Sequence, residues 1–91
     1  MGVLDGNAAI VTGSARGIGR ATAELLAEHG ARVLINDLDG DVAGQTASEI
    51  DGETAAFAGD LTQDGTAEAL VQKAIDEFGQ LDIVVNNAGY T

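Results

Sequence analysis

Short apolar runs recur along the chain, separated by longer segments with a different pattern. The runs lie at Ala8–Val11, Val33–Ile35, Ala55–Ala58 and Leu81–Val85. Because polar residues do not alternate strictly within them, the runs are typical of strands buried on both faces, as in a parallel sheet. We therefore predict four strands of this kind.

The segments between the runs carry apolar residues at helical spacing. Positions three or four apart fall on one side of a helix, and that side can cover the sheet. The spacing predicts three helices, the third over Thr66–Phe78, and the element order β-α-β-α-β-α-β. The predicted sheet-facing positions are Ile18, Ala21, Thr22, Leu25 and Leu26; Val42, Ala43, Thr46, Ala47 and Ile50; and Ala67, Leu70, Val71, Ala74, Ile75 and Phe78.

Glycine and small polar residues mark the predicted helix ends. Gly30, Gly52 and Gly79 each follow a helical segment, where a left-handed C-terminal cap favours glycine. Thr62 or Asp64 can cap the third helix at its N-terminus. The chain contains no proline, so no helix interior is interrupted by one.

A glycine-rich segment, TGSARGIG at positions 12–19, joins the first strand to the first helix. Gly13 permits the tight turn out of the strand, and Gly17 lets a pyrophosphate approach the backbone where the helix begins. Gly19 lets the helix pack closely on the strand. The exposed N–H groups and the dipole at a helix N-terminus favour an anion there. The strand–turn–helix context makes this segment a candidate dinucleotide site.

An acidic residue stands at the end of the second predicted strand. Asp37 follows Gly19 by 18 residues, which is where a dinucleotide-binding fold places a carboxylate on the ribose hydroxyls. A carboxylate there would repel a 2′-phosphate, so Asp37 favours NAD over NADP. Asp39 is a rival for the same role, and a plain turn through Asp37–Gly40 is the alternative reading.

Together these features predict an α/β fold of the Rossmann type, a doubly wound parallel sheet. Its strand order is expected to be 3-2-1-4, with right-handed crossovers that place the first two helices on one face and the third on the other. We expect residues 1–91 to form one NAD(P)-binding half-domain, truncated after the fourth strand.

Three motifs in order give the chain a family resemblance. They are the TGxxxGxG spacing at 12–19, Asp60-Leu61 after the third predicted strand, and NNAG at 86–89 after the fourth. In these the chain resembles the short-chain dehydrogenase/reductase family, most of all its 3-oxoacyl-carrier-protein reductase type. The resemblance covers essentially all 91 residues.

The resemblance implies roles for side chains in the glycine-rich segment. It places Ser14, Arg16 and Ile18 along the phosphates and ribose of the cofactor. Arg16 could also serve a 2′-phosphate, because some NADP-using relatives carry a basic residue in this loop. Asp37 instead favours NAD, and we give Asp37 more weight than Arg16 because it lies where the ribose is expected.

The other two motifs are implied to contact the adenosine half of the cofactor. Asp60 and Leu61 would meet the adenine, with the Asp60 carboxylate accepting a hydrogen bond from its amino group. Asn87, Ala88 and Gly89 would run beside the adenine ribose and brace the central strand. Small residues there leave room for a cofactor that lies across the strand ends.

The resemblance implies an oxidoreductase that interconverts a ketone and an alcohol by hydride transfer. The family's catalytic Ser and Tyr-x-x-x-Lys lie further along than this sequence extends, so no catalytic residue is assigned: Tyr90 has no following lysine, and Lys73 lies in the third helix. A complete protein would take a small-molecule or acyl-carrier-linked carbonyl substrate and form a homo-oligomer. The alternative is a stand-alone, non-catalytic nucleotide-binding or interaction module.

Charge and composition exclude several other function classes. The net charge of −11 argues against binding nucleic acid or anionic membrane surfaces, which need clustered Lys and Arg. No signal peptide and no membrane span are expected, so a cytoplasmic protein is the default. There is no cysteine, the single histidine, His29, is expected to close the first helix, and no metal site is expected.

Overall fold

Helices and strands alternate through the part of the chain that the computed structural model describes, residues 2–87. Their order is the predicted one. The second strand is longer than the apolar run that predicted it, and the fourth is shorter. The elements are β1 (Ala8–Val11), α1 (Gly17–Glu28), β2 (Arg32–Asp37), α2 (Gly40–Glu49), β3 (Thr54–Ala58), α3 (Thr66–Phe78) and β4 (Ile83–Val85).

The four strands form one parallel sheet in the order β3-β2-β1-β4. At the end of β1, Val11 lies opposite Ile35 of β2 and Val85 of β4. The predicted Rossmann-type order 3-2-1-4 is therefore confirmed. That residues 1–91 make one cofactor-binding half-domain stays a prediction.

The two faces of the sheet are covered as the crossover rule requires. Helices α1 and α2 pack on one face, and α3 packs on the other. Along β1 and β2 the apolar side chains alternate between the two cores. The buried residues of the first core are Val11, Ala23, Ala27, Ala31, Val33, Ile35, Ala43, Ala47 and Ile50, and those of the second are Ala8, Ile10, Leu34, Leu70, Ala74 and Phe78.

The predicted sheet-facing side of α1 is only partly correct: Leu26 packs against the first core and Thr22 is half-buried, but the buried stripe is another one. Its buried residues are Gly19, Ala23 and Ala27, whereas Ile18 is 79% and Leu25 54% exposed. Small residues spaced four apart let the helix axis approach the sheet closely, so they outweigh the larger apolar residues. The predicted face gave the larger side chains too much weight.

The predicted faces of the other two helices fare better. Ala43, Thr46, Ala47 and Ile50 are buried on the α2 side, as predicted, and Val42 is half-buried. On α3 only part of the predicted face is buried, namely Leu70, Ala74 and Phe78. The remaining predicted positions of α3 are exposed: Ala67, Val71 and Ile75.

The helix ends confirm two of the three glycine predictions and correct one N-cap. Gly79 is the left-handed C-cap of α3, and Gly30, with positive φ, directly follows the C-cap of α1. Gly52 has φ of 124° and lies two residues beyond Ile50, the C-cap of α2, so it does not cap that helix. The N-cap of α3 is Gly65, with φ of 85° and no side-chain cap hydrogen bond, so the caps predicted at Thr62 or Asp64 are wrong. The Thr62 hydroxyl instead donates to the Asp60 carboxylate at 2.6 Å.

Candidate functional site

All four strands run parallel, so the turns that follow them meet at one end of the sheet, here called the carboxyl edge. It comprises residues 12–16, 37–39, 59–61 and 86–87. Every described residue predicted to contact a cofactor lies at this edge or in the first turn of α1. The fold thus gathers those positions, which are far apart in sequence, into one region.

The glycine loop, residues 12–19, presents open backbone where α1 begins. Gly13 and Gly17 have φ of 60° and 65°, a region that favours glycine. A Cβ built on Gly17 would meet no atom within 4 Å, so the surface above it is open. Arg16, the N-cap, makes no side-chain cap hydrogen bond. The geometry fits the predicted close approach of an anion at Gly17.

Gly19 has the opposite surroundings. A Cβ at this position would collide with the carbonyl oxygen of Gly13 and with the side-chain amide of Asn87. The helix therefore lies against the turn at a distance that only glycine permits. This confirms the prediction that Gly19 allows close packing.

The first N–H groups of the glycine loop bind to β2. The Ser14 N–H donates to the Asn36 carbonyl at 2.8 Å, and the Gly13 N–H lies 3.5 Å from Asn36 Oδ1. The Ala15 N–H donates to Asp37 Oδ2 at 3.3 Å. These bonds fix the turn relative to the end of β2.

The next N–H groups of the loop have no hydrogen-bond acceptor in the described chain. Within residues 2–87, the N–H groups of Arg16, Gly17, Ile18 and Gly19 form no hydrogen bond. Helix-initial N–H groups have no intrahelical partner, so they need water, a side chain or a ligand. Their partial positive charge makes the head of α1 suited to a phosphate.

Ser14 does not present its hydroxyl to this open surface. The residue is fully buried, and its hydroxyl donates to the Val11 carbonyl at 2.6 Å and accepts from the Asn36 N–H at 3.0 Å. In this structure its side chain supports the turn instead of facing a phosphate. The exposed side chains of the loop are those of Arg16 and Ile18.

Asn36 is a residue that the sequence reasoning missed. It is 2% exposed, and its Nδ2 donates to the Phe57 carbonyl of β3 at 3.0 Å. One side chain thus links the glycine loop, β2 and the end of β3. The available signal was a polar residue directly after an apolar run and before Asp37, because a buried amide must find partners.

Asp37 ends β2, as predicted, and its side chain lies beside the glycine loop. Its Oδ1 accepts from the Leu38 N–H at 2.8 Å, and its Oδ2 accepts from Ala15. Oδ1 also lies 3.5 Å from the Asp39 N–H, whereas Oδ2 can accept a second bond, so the half-buried side chain can still bind a hydroxyl group. Asp39, the rival, accepts from the N–H groups of Asp41 and Val42 and caps α2.

Asp60 and Leu61 follow β3 at the same edge. One oxygen of Asp60, Oδ1, accepts from both the hydroxyl and the N–H of Thr62, at 2.6 and 2.9 Å. These bonds, the hydroxyl first, hold the pKa of the Asp60 carboxyl below its ordinary value. The second oxygen has no partner among residues 2–87. Leu61 is half-buried against the core beneath α3.

Asn87 ties the end of β4 to the glycine loop. Its N–H donates to Thr12 Oγ1 at 2.9 Å, and its Nδ2 donates to the Gly13 carbonyl at 3.1 Å. It therefore braces the turn after the central strand β1. Ala88 and Gly89, also predicted at the site, lie outside the described residues.

Two further observations concern other kinds of site. Between residues 2 and 87, no group of three or more His, Asp and Glu side chains is arranged to hold a metal ion. No helix in the same range combines the length and apolar character needed to cross a bilayer. His29 is the C-cap of α1, as predicted.

Curated relatives match the chain over most of its length. The sorbitol dehydrogenase of Cereibacter sphaeroides is 47% identical over 93% of this chain, which covers 33% of that protein. The 3-oxoacyl-[acyl-carrier-protein] reductase of Chlamydia muridarum is 46% identical over 98% of this chain and 38% of its own length. The chain thus spans about a third of the length of these relatives.

Solved structures share the fold. A short chain dehydrogenase from Mycobacterium avium superposes with a TM-score of 0.93 at 41% identity, over 100% of this chain and 36% of that one. A 7α-hydroxysteroid dehydrogenase in complex with NADH and 7-oxo glycochenodeoxycholic acid gives 0.91 at 40%, over 96% and 35%. The short chain dehydrogenase family matches residues 7–91. The expected resemblance is confirmed: this chain belongs to the short-chain dehydrogenase family.

Proposed function

We propose that this chain is the nicotinamide-dinucleotide-binding part of an oxidoreductase that interconverts a ketone and an alcohol, and that it prefers NAD. The observation that carries the proposal is the position of Asp37, whose carboxylate binds the Ala15 N–H at 3.3 Å beside the open head of α1. A phosphate-binding helix start and a ribose-binding carboxylate are thereby adjacent, as a dinucleotide requires.

The residues present fit such a cofactor. The N–H groups of Arg16, Gly17 and Ile18 would hold the pyrophosphate, and Asp37 would bind the ribose hydroxyls. Asp60 would accept from the adenine amino group through the oxygen that Thr62 leaves unpaired. When bound, the nicotinamide ring supplies the hydride donor or acceptor.

Leu38 adds an apolar surface at the same place. It is 60% exposed between Asp37 and the α2 cap at Asp39. An exposed leucine at a strand end offers a flat contact for a planar ring, so we place it on the adenine side of the site. Asn87, with Ala88 and Gly89 beyond the described residues, would line the ribose on the β4 side.

The substrate proposal rests on what the relatives' names state. They name sorbitol, a 3-oxoacyl group on acyl carrier protein, and a 7-oxo bile acid as ligands of three of these proteins. We propose that the complete protein acts on a secondary alcohol or its ketone, with an acyl-carrier-linked ketone as one candidate. We also propose that it is a homo-oligomer and that residues 1–91 form its cofactor-binding half-domain.

Substitutions at Asp37 and at Asp39, two residues apart, test the preference for NAD over NADP. In the complete protein that carries this chain, NAD should bind more tightly than NADP. Asp37→Asn should narrow that preference by about tenfold or more, since charge-assisted hydrogen bonds of about 1.5–3 kcal/mol are lost and repulsion of the 2′-phosphate ends. The measurement is a calorimetric titration with both cofactors.

Asp39→Asn is the matched control, because it removes one negative charge at the same edge from a residue that caps α2. It should leave the NAD/NADP ratio unchanged. Tighter binding of NADP than NAD by the unmodified protein would refute the assignment. Dinucleotide binding without turnover of any ketone or alcohol by the complete protein would instead favour the non-catalytic module.

A further inference from the structure

The carbonyl side of the glycine loop is held by a residue from another helix. Thr46 of α2 is 2% exposed, and its hydroxyl donates to the Ala15 carbonyl at 2.6 Å across 31 residues of sequence. Ala15 itself is 2% exposed, so its carbonyl has no access to bulk water. The Thr46 hydroxyl is therefore the group that satisfies this buried acceptor.

This bond fixes the orientation of one peptide plane. No peptide bond in the described residues is cis, and in a planar trans peptide the C=O and the following N–H point in opposite directions. Because the Ala15 carbonyl points inward to α2, the Arg16 N–H points outward. Arg16 thus contributes the first of the unpaired N–H groups at the head of α1.

The bonds of the neighbouring peptide planes do not satisfy the Ala15 carbonyl. The Ala15 N–H is bound to Asp37, which sets the preceding peptide. The Arg16 carbonyl accepts from the Arg20 N–H at 3.3 Å, which sets the following peptide. Neither bond involves the carbonyl of Ala15 itself. Without the hydroxyl of Thr46, the buried carbonyl would have to turn toward another donor, and the Arg16 N–H would turn with it.

We propose that Thr46 is a positioning residue for the pyrophosphate: by binding the Ala15 carbonyl, it aims the Arg16 N–H at the anion. The inference rests on the proposed dinucleotide function and deepens it, since it assigns a role in ligand binding to a side chain that never touches the ligand. It predicts that the hydroxyl matters for ligands with a diphosphate and not for those without one.

Thr46→Val removes the hydroxyl and keeps the branched shape. Measured in the complete protein, it should weaken ADP binding by about tenfold, the change expected for one charge-assisted hydrogen bond, while adenosine affinity stays within about twofold. Thr46→Ser should restore ADP binding because it restores the hydroxyl. Isothermal titration serves for ADP, and chemical-shift titration serves for the weaker adenosine.

Thr54→Val is the control for general loosening of α2. The Thr54 hydroxyl also donates to a backbone carbonyl of α2 at 2.6 Å, that of Ala47, but this bond ties α2 to β3 and not to the glycine loop. It should lower stability like Thr46→Val and leave ADP affinity unchanged. A variant of Thr46 that loses ADP and adenosine equally would show a merely structural role and overturn the inference.

Amide exchange in the unmodified protein tests the same idea without a variant, and it decides the matter if Thr46→Val fails to fold. ADP should slow exchange of the Arg16 N–H, and adenosine should not. Unchanged exchange at Arg16 under saturating ADP would overturn the role of Thr46 alone. Failure of the unmodified protein to bind ADP or NAD at all would refute the proposed function instead.

Discussion

Hydrogen bonds between side chains and backbone stabilise both ends of the sheet, but the two ends differ in how many polar groups they leave unpaired. At the amino end, the Asp82 carboxylate accepts from the Ala8 N–H at 2.9 Å. Arg32 donates to the carbonyls of Phe78 and Gly6 at 2.7 and 3.2 Å, and its guanidinium lies 5.6 Å from the Phe78 ring centroid. These side chains tie the starts of β1, β2 and β4 to one another and to the end of α3.

At the carboxyl edge only some of the backbone N–H groups are hydrogen-bonded. The N–H groups of residues 13–15 bind to β2, whereas those of residues 16–19 and one oxygen of Asp60 find no partner in the described chain. Polar contacts thus stabilise both ends, but only the carboxyl edge combines a fixed backbone with groups left to bind a ligand. Changes at the amino end should affect stability alone, and changes at the carboxyl edge should affect binding.

The largest effect is expected at Gly19, where packing and binding meet. Gly19→Ala places a Cβ against the Gly13 carbonyl and the Asn87 amide, so α1 must shift away from the turn. We expect a loss of about 1–3 kcal/mol in the free energy of unfolding, as overpacking usually produces. NAD affinity should fall by more than about tenfold because the N–H groups move with the helix. Denaturation and calorimetric titration measure the two effects.

Gly44→Ala is the control, since a Cβ on Gly44 in α2 meets no atom within 4 Å. It should raise stability by about 0.5–1 kcal/mol through helix propensity and leave NAD affinity unchanged. If Gly19→Ala were as stable as Gly44→Ala, close packing at the turn would not be what requires glycine.

A smaller effect, on stability only, is expected at the amino end. Arg32→Met keeps an apolar stem over Phe78 and removes the bonds to two backbone carbonyls. We expect a loss of about 1 kcal/mol, because these acceptors are partly exposed and regain water. NAD affinity should stay within about twofold. A loss of affinity comparable to that of Gly19→Ala would show that the two ends of the sheet are not independent.

Much of this architecture could be predicted from sequence because it depends on pattern. Apolar runs gave the parallel strands, and the glycine spacing with Asp37 located the site. The face of α1 was partly mispredicted because close packing selects Ala23 and Ala27, whose small side chains score weakly in a hydrophobic pattern. Asn36 and Thr46 were missed as site residues because their hydrogen-bond partners lie 21 to 31 residues away, and no local pattern identifies those partners.

The smallest effects concern acid titration at the two ends. Hydrogen bonds from the Gln80 side chain and the Ala8 N–H, with the charge of Arg32, hold the pKa of the Asp82 carboxyl below its ordinary value of 3.8. A carboxyl whose pKa is lower in the folded state stabilises the fold above the unfolded-state pKa. That contribution is lost as the pH falls below 3.8 and through the folded-state pKa. The pKa of Asp60 is also lowered, by its hydrogen bonds from Thr62, so its contribution to stability is lost in the same direction of pH.

Replacing Asp82 or Asp60 with the isosteric Asn distinguishes the structural role of the amino end from the binding role of the carboxyl edge. Asp82→Asn should flatten the fall in stability below pH 3.8 and leave NAD affinity at neutral pH unchanged, since the bonds of Asp82 to Ala8 and Gln80 lie at the amino end of the sheet. Asp60→Asn should flatten the same part of the stability curve and also weaken NAD and ADP, because its unpaired oxygen no longer carries the charge that the adenine amino group would meet. Urea denaturation between pH 2 and 5, with titrations at pH 7, measures both. Equal loss of NAD affinity in the two variants would contradict the division between a structural end and a binding end.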